Sequence, residues 1–377
     1  MKIVYCIAAT SNSGGMERVL TNKANYFARL GFDVHIITTD QQGKASFFPL
    51  DARVHQHDLG INYVLNNGKG IVKKLLSYRL KQRKHQQRLS RLLLQLQPDV
   101  TLSMFDHEVS FLYKIKDKSK KILEIHFSRF KRLQYGRRGL WGLIDQWRSK
   151  QDVAFAKRYE RFVVLTQEDR GYWGALPNIS VIPNANSFVP KSVSDLSNKQ
   201  VIAVGRYDYQ KRFEDLIEAW KEIKVKCPDW SLNIFGQGPL QDRLQQQIQR
   251  YSLQDVITLR EPVKDIESQY IQHALLAMTS RYEGLPMALL EAQACGLPLV
   301  AYACKCGPRD VINEGENGFL VDEGDHAGLA NRIIQLMQDN RLRADMGQRA
   351  KLLSSQYTEE VIMKLWLDLF NELLGKG

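Results

Sequence analysis

A chain of 377 residues is more than twice the roughly 150 of a typical domain, so two or three domains are expected and a peptide or small zinc module is excluded. Hydrophobic residues at 44% and charged residues at 25% exclude a disordered chain and supply full apolar cores. The net charge of +12 is unevenly placed: 31 Lys and Arg against 15 Asp and Glu over residues 1–190, but 22 against 26 beyond, so the first half is expected to face something anionic.

The chain opens with a strand, Lys2 to Ala9, that runs into a polar glycine turn without a cleavage site. A helix from Met16 to Leu30, stopped by Gly31, leads to a second strand, Asp33 to Thr38. Val72 to Leu96 is a basic helix in which leucines alternate with Lys73, Lys74, Arg79, Lys81, Arg83, Lys84, Arg88 and Arg91. Buried strands follow at Asp99 to Met104, Lys121 to Ile125, Phe162 to Leu165 and Ile179 to Ile182. Between them, Arg129 to Lys150 interleaves basic residues with Phe130, Tyr135, Trp141 and Trp147. Basic amphipathic segments of this kind bind anionic membrane surfaces, a solvated helix face being the plain alternative. No nucleic-acid motif accompanies them.

Asn186 to Gln200, rich in Ser, Asn and Pro, marks a linker. Beyond it strand-length runs recur at Val201 to Gly205, Leu232 to Gly236, Val256 to Leu259, Ala274 to Ser280 and Pro298 to Tyr302. Helical patterns such as Phe213 to Lys226 separate them. Alternating strands and helices predict a parallel sheet with crossover helices in each half, a doubly wound α/β architecture. A last helix spans Thr358 to Leu374, with Thr358 as its cap. No apolar run approaches the roughly 20 residues that cross a bilayer. Five cysteines, at no metal-ligand spacing, fit a reduced cytoplasm.

Three strand ends of the second half carry residues suited to one ligand. In Arg281 to Gly296 (RYEGLPMALLEAQACG), Pro286 is expected at the first helical position, leaving the N–H groups of Gly284, Leu285, Met287 and Ala288 toward the carboxyl end of the preceding strand. Glu283 and Glu291 would lie about 12 Å apart if the interval were wholly helical, a separation suited to gripping two ends of a long ligand. Gly205, Arg206 and Lys211 place two cations beside another strand end, matched to a diphosphate that gains charge as it leaves. Gly236 and Gly238 form a glycine turn at the third, letting backbone approach a flat ligand. Together they point to an anionic, hydroxylated ligand such as a nucleotide diphosphate sugar.

With these motifs the chain resembles the retaining family 4 glycosyltransferases, which have the GT-B fold. The resemblance rests on Glu283-x7-Glu291 in its EGLPxxLLEAxACGLP setting, on Gly205, Arg206 and Lys211, on Gly236-x-Gly238-Pro239, and on Asn317 to Val321 (NGFLV). It implies two Rossmann-like domains facing across a cleft. An acceptor-binding domain would take residues 1–187 with helix 358–377, and a donor-binding domain residues 188–357. It further implies Glu283 on the donor sugar's hydroxyls, Glu291 on the ribose, Arg206 and Lys211 on the diphosphate, and Gly14 and Gly15 as the glycine turn after the first strand. His126, in EIHFSR, matches a cleft histidine assigned to the sugar's 6-hydroxyl or the reacting centre, and Asn184 matches the IPN turn. The chain contains no Asp-x-Asp, so no metal is expected to be required and the two cations stand in for one.

The expected activity is transfer from a UDP-sugar to a glycan acceptor, lipid-diphosphate-linked, in bacterial surface polysaccharide synthesis. The enzyme would be cytoplasmic and peripheral on the inner face of the plasma membrane, held there through residues 72–96 and 129–150. The UDP preference follows from the likeness of Met287 to Glu291 and of Cys306 to Asp310 (CGPRD) to UDP-sugar users, with GDP-mannose the nearest rival. The competing expectations are a GT-B sugar-nucleotide epimerase and a non-catalytic nucleotide-sugar binding protein.

Overall fold

The computed structural model describes residues 1–66, 71–133 and 139–376. They divide into two compact units. One comprises Met1–Leu165, Arg170–Ile182 and the chain from Ile362 onward; the other comprises Thr166–Asp169 and Pro183–Val361.

The first unit runs β1 (Lys2–Ile7), α1 (Gly15–Arg29), β2 (Asp33–Thr38), β3 (His55–Asp58), α2 (Ile71–Leu96), β4 (Val100–Ser103), β5 (Lys120–Glu124), α3 (Gly139–Ala156), β6 (Arg161–Val164), α4 (Gln167–Trp173, whose first three residues belong to the other unit) and β7 (Ile179–Val181). Its sheet has the order β3-β2-β1-β4-β5-β6-β7, with every pair parallel. Helices on its faces bury the central strands on both sides, so β1, β4 and β5 are buried almost throughout, including the polar side chains of Thr101, Ser103, Lys121 and Glu124. The exception is β3, whose sequence HQHD carries no apolar side chain and is largely exposed at the sheet edge. Sequence reasoning passes over it for that reason. On one face, Leu89 and Leu93 of α2 pack with Val4, Leu123, Phe162 and Phe111.

The second unit runs β8 (Gln200–Val204), α5 (Phe213–Lys226), β9 (Ser231–Phe235), α6 (Gln241–Arg250), β10 (Ile257–Arg260), α7 (Ile266–Ile271), β11 (Leu275–Met278), α8 (Met287–Ala294), β12 (Leu299–Tyr302), α9 (Pro308–Val311), β13 (Gly318–Val321), α10 (His326–Gln338) and α11 (Asn340–Leu353). Its six parallel strands take the order β10-β9-β8-β11-β12-β13. The order reverses between β8 and β11, and an open α/β sheet binds its ligands at such a switch point, outside the carboxyl ends of the strands. The NGFLV motif supplies β13, an edge strand that its glycine start obscures in the sequence.

The last helix, α12 (Glu359–Leu374), starts after Thr358, whose Oγ1 accepts from the Val361 N–H at 3.4 Å. From Ile362 it belongs to the first unit, where Phe370 packs on Phe27 of α1 at 5.7 Å between ring centroids and Arg161 pairs with Glu372.

Candidate active site

In the second unit the loops after β8 and β11, at the switch point, are stitched together. The Arg281 N–H donates to the Gln210 carbonyl at 2.8 Å, Gln210 Nε2 to the Tyr282 carbonyl at 3.0 Å, and Thr279 Oγ1 to the Lys211 carbonyl at 3.1 Å. This brings Lys211 Nζ to 2.7 Å from Glu283 Oε1, while Gln210 Nε2 reaches Glu283 Oε2 at 3.4 Å. Both charged side chains are largely buried, at 18% and 9% exposure. Lysine carries three N–H donors, so two remain beside a carboxylate, a pairing suited to a ligand with both phosphates and hydroxyls. Arg206 does not join them: its side chain is 74% exposed and pairs with Asp208 at 3.1 Å.

The glycines at these strand ends are needed by the protein itself. A Cβ on Gly236 would stand 1.9 Å from the Gly205 carbonyl oxygen, and one on Gly238 2.5 Å from that of Tyr207, so both let the loop after β9 close on the loop after β8. Gly205 in turn accommodates the aliphatic stem of Lys211, which a Cβ would meet at 2.8 Å. The backbone approach expected for a flat ligand is thus already used by a neighbouring loop. Gly236→Ala is expected to destabilise the second unit by about 1–3 kcal/mol, the usual cost of overpacking, seen as a lower thermal midpoint. Gly15→Ala, which meets nothing within 4 Å, should leave stability unchanged.

Pro286 lies one position earlier than expected, as the cap of α8 rather than its first residue, and its carbonyl accepts the Leu289 N–H at 3.0 Å. Only Met287–Ala294 of the interval between the two glutamates is helical, so Glu283 sits in the preceding turn and the fully helical separation does not apply. Among the described residues no acceptor faces the N–H groups of Gly284, Leu285, Met287 and Ala288. The turn is backed by the CGPRD segment: Cys306 and Gly307 both take positive φ, and Gly307 lies under Pro286, where a Cβ would meet its Cδ at 2.4 Å. Glu291 is buried within α8 and accepts from the Tyr270 hydroxyl of α7 at 3.0 Å, a partner the sequence did not indicate. Asn184 is buried with its amide 3.6 Å from the Met287 sulfur.

Gly14, Gly15 and His126 belong to the first unit. Gly14 caps α1 in an extended conformation, with the Glu17 carboxylate folded over it and held by Asn12 Nδ2 at 3.2 Å. The opening of this helix therefore carries an acid of its own. His126 follows β5 with Nε2 3.1 Å from Glu124 Oε1, and neither ring nitrogen makes an aligned hydrogen bond to the described residues. Glu124 also accepts from Lys23 Nζ at 2.5 Å, both side chains being 1% exposed. The ammonium lies 3.7 Å above the Trp366 ring of α12. Burial lowers the Lys23 ammonium despite Glu124. At Glu124 burial raises the carboxyl, but Lys23 and His126 together outweigh it and hold it at about 2.

Two family models match adjoining stretches of the chain: Glycosyltransferase Family 4 over residues 13–185 and Glycosyl transferases group 1 over residues 185–353. The fold is similar to that of S. aureus TarM, in a mutant complexed with fondaparinux, alpha-GlcNAc-glycerol and UDP. The TM-score is 0.78 at 19% identity, covering 98% of this chain and 99% of that one. The chain is a GT-B glycosyltransferase. The transferase is 28% identical over 374 residues to an uncharacterized glycosyltransferase of Haemophilus influenzae, covering 97% of this chain and 98% of that protein. Over 222 residues it is 35% identical to the amylovoran biosynthesis glycosyltransferase AmsD of Erwinia amylovora, a match spanning 56% of this chain and 62% of that protein.

The basic segments of the transferase are less uniform than their sequence. Lys81 and Arg88 donate to the carbonyls of Asn62 and Leu59, Arg129 to Ser149 Oγ, and Arg132 grips Asp152 through two nitrogens, at 2.6 and 3.2 Å. The solvent-facing part is Lys73, Lys74, Arg83, Lys84 and Arg91 with Leu76 and Leu80 on α2, and Trp141, Leu143 and Trp147 on α3. Tyr135 lies outside the described residues. Among those residues no helix is long and apolar enough to cross a membrane.

Proposed function

We propose that the transferase is a retaining family 4 enzyme that moves a sugar from a UDP-sugar to a glycan acceptor, lipid-diphosphate-linked, in the synthesis of a bacterial surface polysaccharide. The observation that carries this is the Lys211–Glu283 pair at the switch point of the second sheet, 2.7 Å from nitrogen to oxygen. In this reading the free N–H groups of Lys211, with Arg206, take the diphosphate. Glu283 and the N–H groups of Gly284 and Leu285 take the sugar's hydroxyls, and Glu291, fixed by Tyr270, takes the ribose. The bond from the anomeric carbon to the phosphate oxygen breaks as the acceptor oxygen bonds on the same face. The acceptor's proton passes to the departing diphosphate. His126 serves the 6-hydroxyl or the reacting centre. Support for UDP comes from its presence in the TarM complex and from the CGPRD segment that backs the EGLP turn.

UDP-sugars are expected to raise the thermal midpoint of the second unit, and sugar transfer is expected to persist in excess EDTA because cations of the chain balance the leaving charge. A larger shift with GDP-mannose would reassign the nucleotide. Loss of activity on chelation, restored by Mg²⁺ or Mn²⁺, would overturn metal independence.

We further propose that the first unit docks on the anionic inner face of the plasma membrane through the exposed residues of α2 and α3. Each basic residue near such a surface contributes about 1 kcal/mol. Replacing Lys73, Lys74, Arg83, Lys84 and Arg91 by Gln should abolish co-sedimentation with phosphatidylserine vesicles, leaving transfer to a short soluble acceptor intact. Lys81 and Arg88 are kept, since their loss would release the loop over residues 59–62. Wild-type vesicle binding by the variant would place docking elsewhere.

A further inference from the structure

The amino ends of β2 and β3, at the end of the first sheet opposite its glycine turn, gather three of the chain's eight histidines around one aspartate. Parallel register sets His35 beside His55, and the period-two alternation of a strand puts Asp33 with His35 and His55 with His57 on matching faces. Asp33 Oδ1 stands 2.9 Å from His35 Nε2 and 3.6 Å from His55 Nε2. A ligand atom from each of the three residues lies within 4.8 Å of the others. The His35 and His55 rings stack at 4.7 Å.

His35 Nε2 is buried and makes no hydrogen bond, although the carboxylate oxygen is 2.9 Å away. Its other nitrogen, Nδ1, lies 3.0 Å from His57 Nε2. In the tautomer in which His57 accepts, the proton of His35 sits on Nδ1 and Nε2 keeps a bare lone pair beside a carboxylate oxygen; in the other, Nε2 carries a proton toward Asp33, and a metal ion takes that proton's place. In the first, two lone-pair atoms so close repel each other; a shared cation satisfies both. The other carboxylate oxygen, Oδ2, is held by Lys2 Nζ at 3.3 Å, and Lys2 also donates to the Leu96 carbonyl at 2.8 Å.

We propose that Asp33, His35 and His55 bind one divalent transition-metal ion, with zinc the best match to this ligand set, and that His57 orients His35 through its second nitrogen. The ion would tie β3, an edge strand without apolar side chains, to β2. It is a structural role, separate from sugar transfer, so chelation should lower the thermal midpoint while leaving transfer intact.

The test is titration of the full chain, tag-free and stripped with EDTA, with Zn²⁺ by calorimetry and with Co²⁺ by visible absorption. One ion per chain is expected, with Co²⁺ bands of nitrogen and oxygen ligation and no thiolate charge-transfer band. His55 is largely exposed, so His55→Ala should fold as wild type by circular dichroism yet lose the saturable site. His57→Ala should weaken affinity roughly 10- to 100-fold, the usual effect of removing a group that orients a ligand. Absence of saturable binding, or an unchanged stoichiometry and affinity in folded His55→Ala, overturns the site.

Discussion

Lys211→Ala is expected to lower kcat at saturating donor by about a hundredfold or more, the usual effect of removing one preorganised group from developing negative charge. In the proposed reaction the leaving diphosphate is more negative in the transition state than in the bound donor, so a fixed cation acts more on turnover than on donor affinity. The geometry adds a second loss. Lys211 is the cation bonded to Glu283 at 2.7 Å, and without it that largely buried carboxylate loses the partner that aims it. Arg206→Ala should cost much less, because Arg206 is solvated and pairs only with Asp208 among the described residues. Steady-state kinetics over a donor series check both. An unchanged kcat with only a raised KM for Lys211→Ala would reduce the lysine to an anchor of the ground state. An effect of Arg206→Ala as large as that of Lys211→Ala would mean that the two cations bear equally on the leaving diphosphate.

Lys23→Met is expected to destabilise the first unit by about 3–5 kcal/mol, the cost of leaving one member of a buried ion pair without its partner. Glu124 is 1% exposed, and His126 alone would then face its charge. Adding Glu124→Leu should recover much of the loss, since an apolar pair of similar volume avoids desolvating two ions. The acid profile supplies an independent readout. In the wild type Glu124 is held at about 2, below the roughly 4.3 of an unfolded glutamate. Its stabilisation is therefore complete above about pH 4.3 and lost as pH falls toward about 2. In Lys23→Met, burial should raise the carboxyl above its unfolded value, so this contribution grows as pH falls through that raised value. Thermal unfolding between pH 3 and 7 distinguishes the two. An unchanged acid profile in Lys23→Met would mean that Lys23 does not set the charge state of Glu124. Because the same carboxylate stands 3.1 Å from His126, the variant also tests whether this lysine positions the histidine.

The sequence by itself determined the repeated parallel architecture and its two-part division of charge. Strands buried on both faces are rich in apolar residues and crossover helices are amphipathic, so both leave one-dimensional patterns in the chain. It also indicated Glu283, Glu291, Lys211 and the glycines, because strand ends with turn residues are local features. What it did not contain was partnership. Tyr270 on Glu291, Lys23 on Glu124 and Trp366 on Lys23 join residues 21, 101 and more than 300 positions apart. Only strand order and helix docking bring them together. Arg206 and Lys211, five positions apart in one loop, read as a pair of cations, yet one is solvated and the other locked on a carboxylate from a different strand end. The strand His55–Asp58 is the clearest case. Its four polar residues have no apolar period, so nothing local marks them as a strand, and only pairing with β2 in register makes them one and sets His55 beside His35.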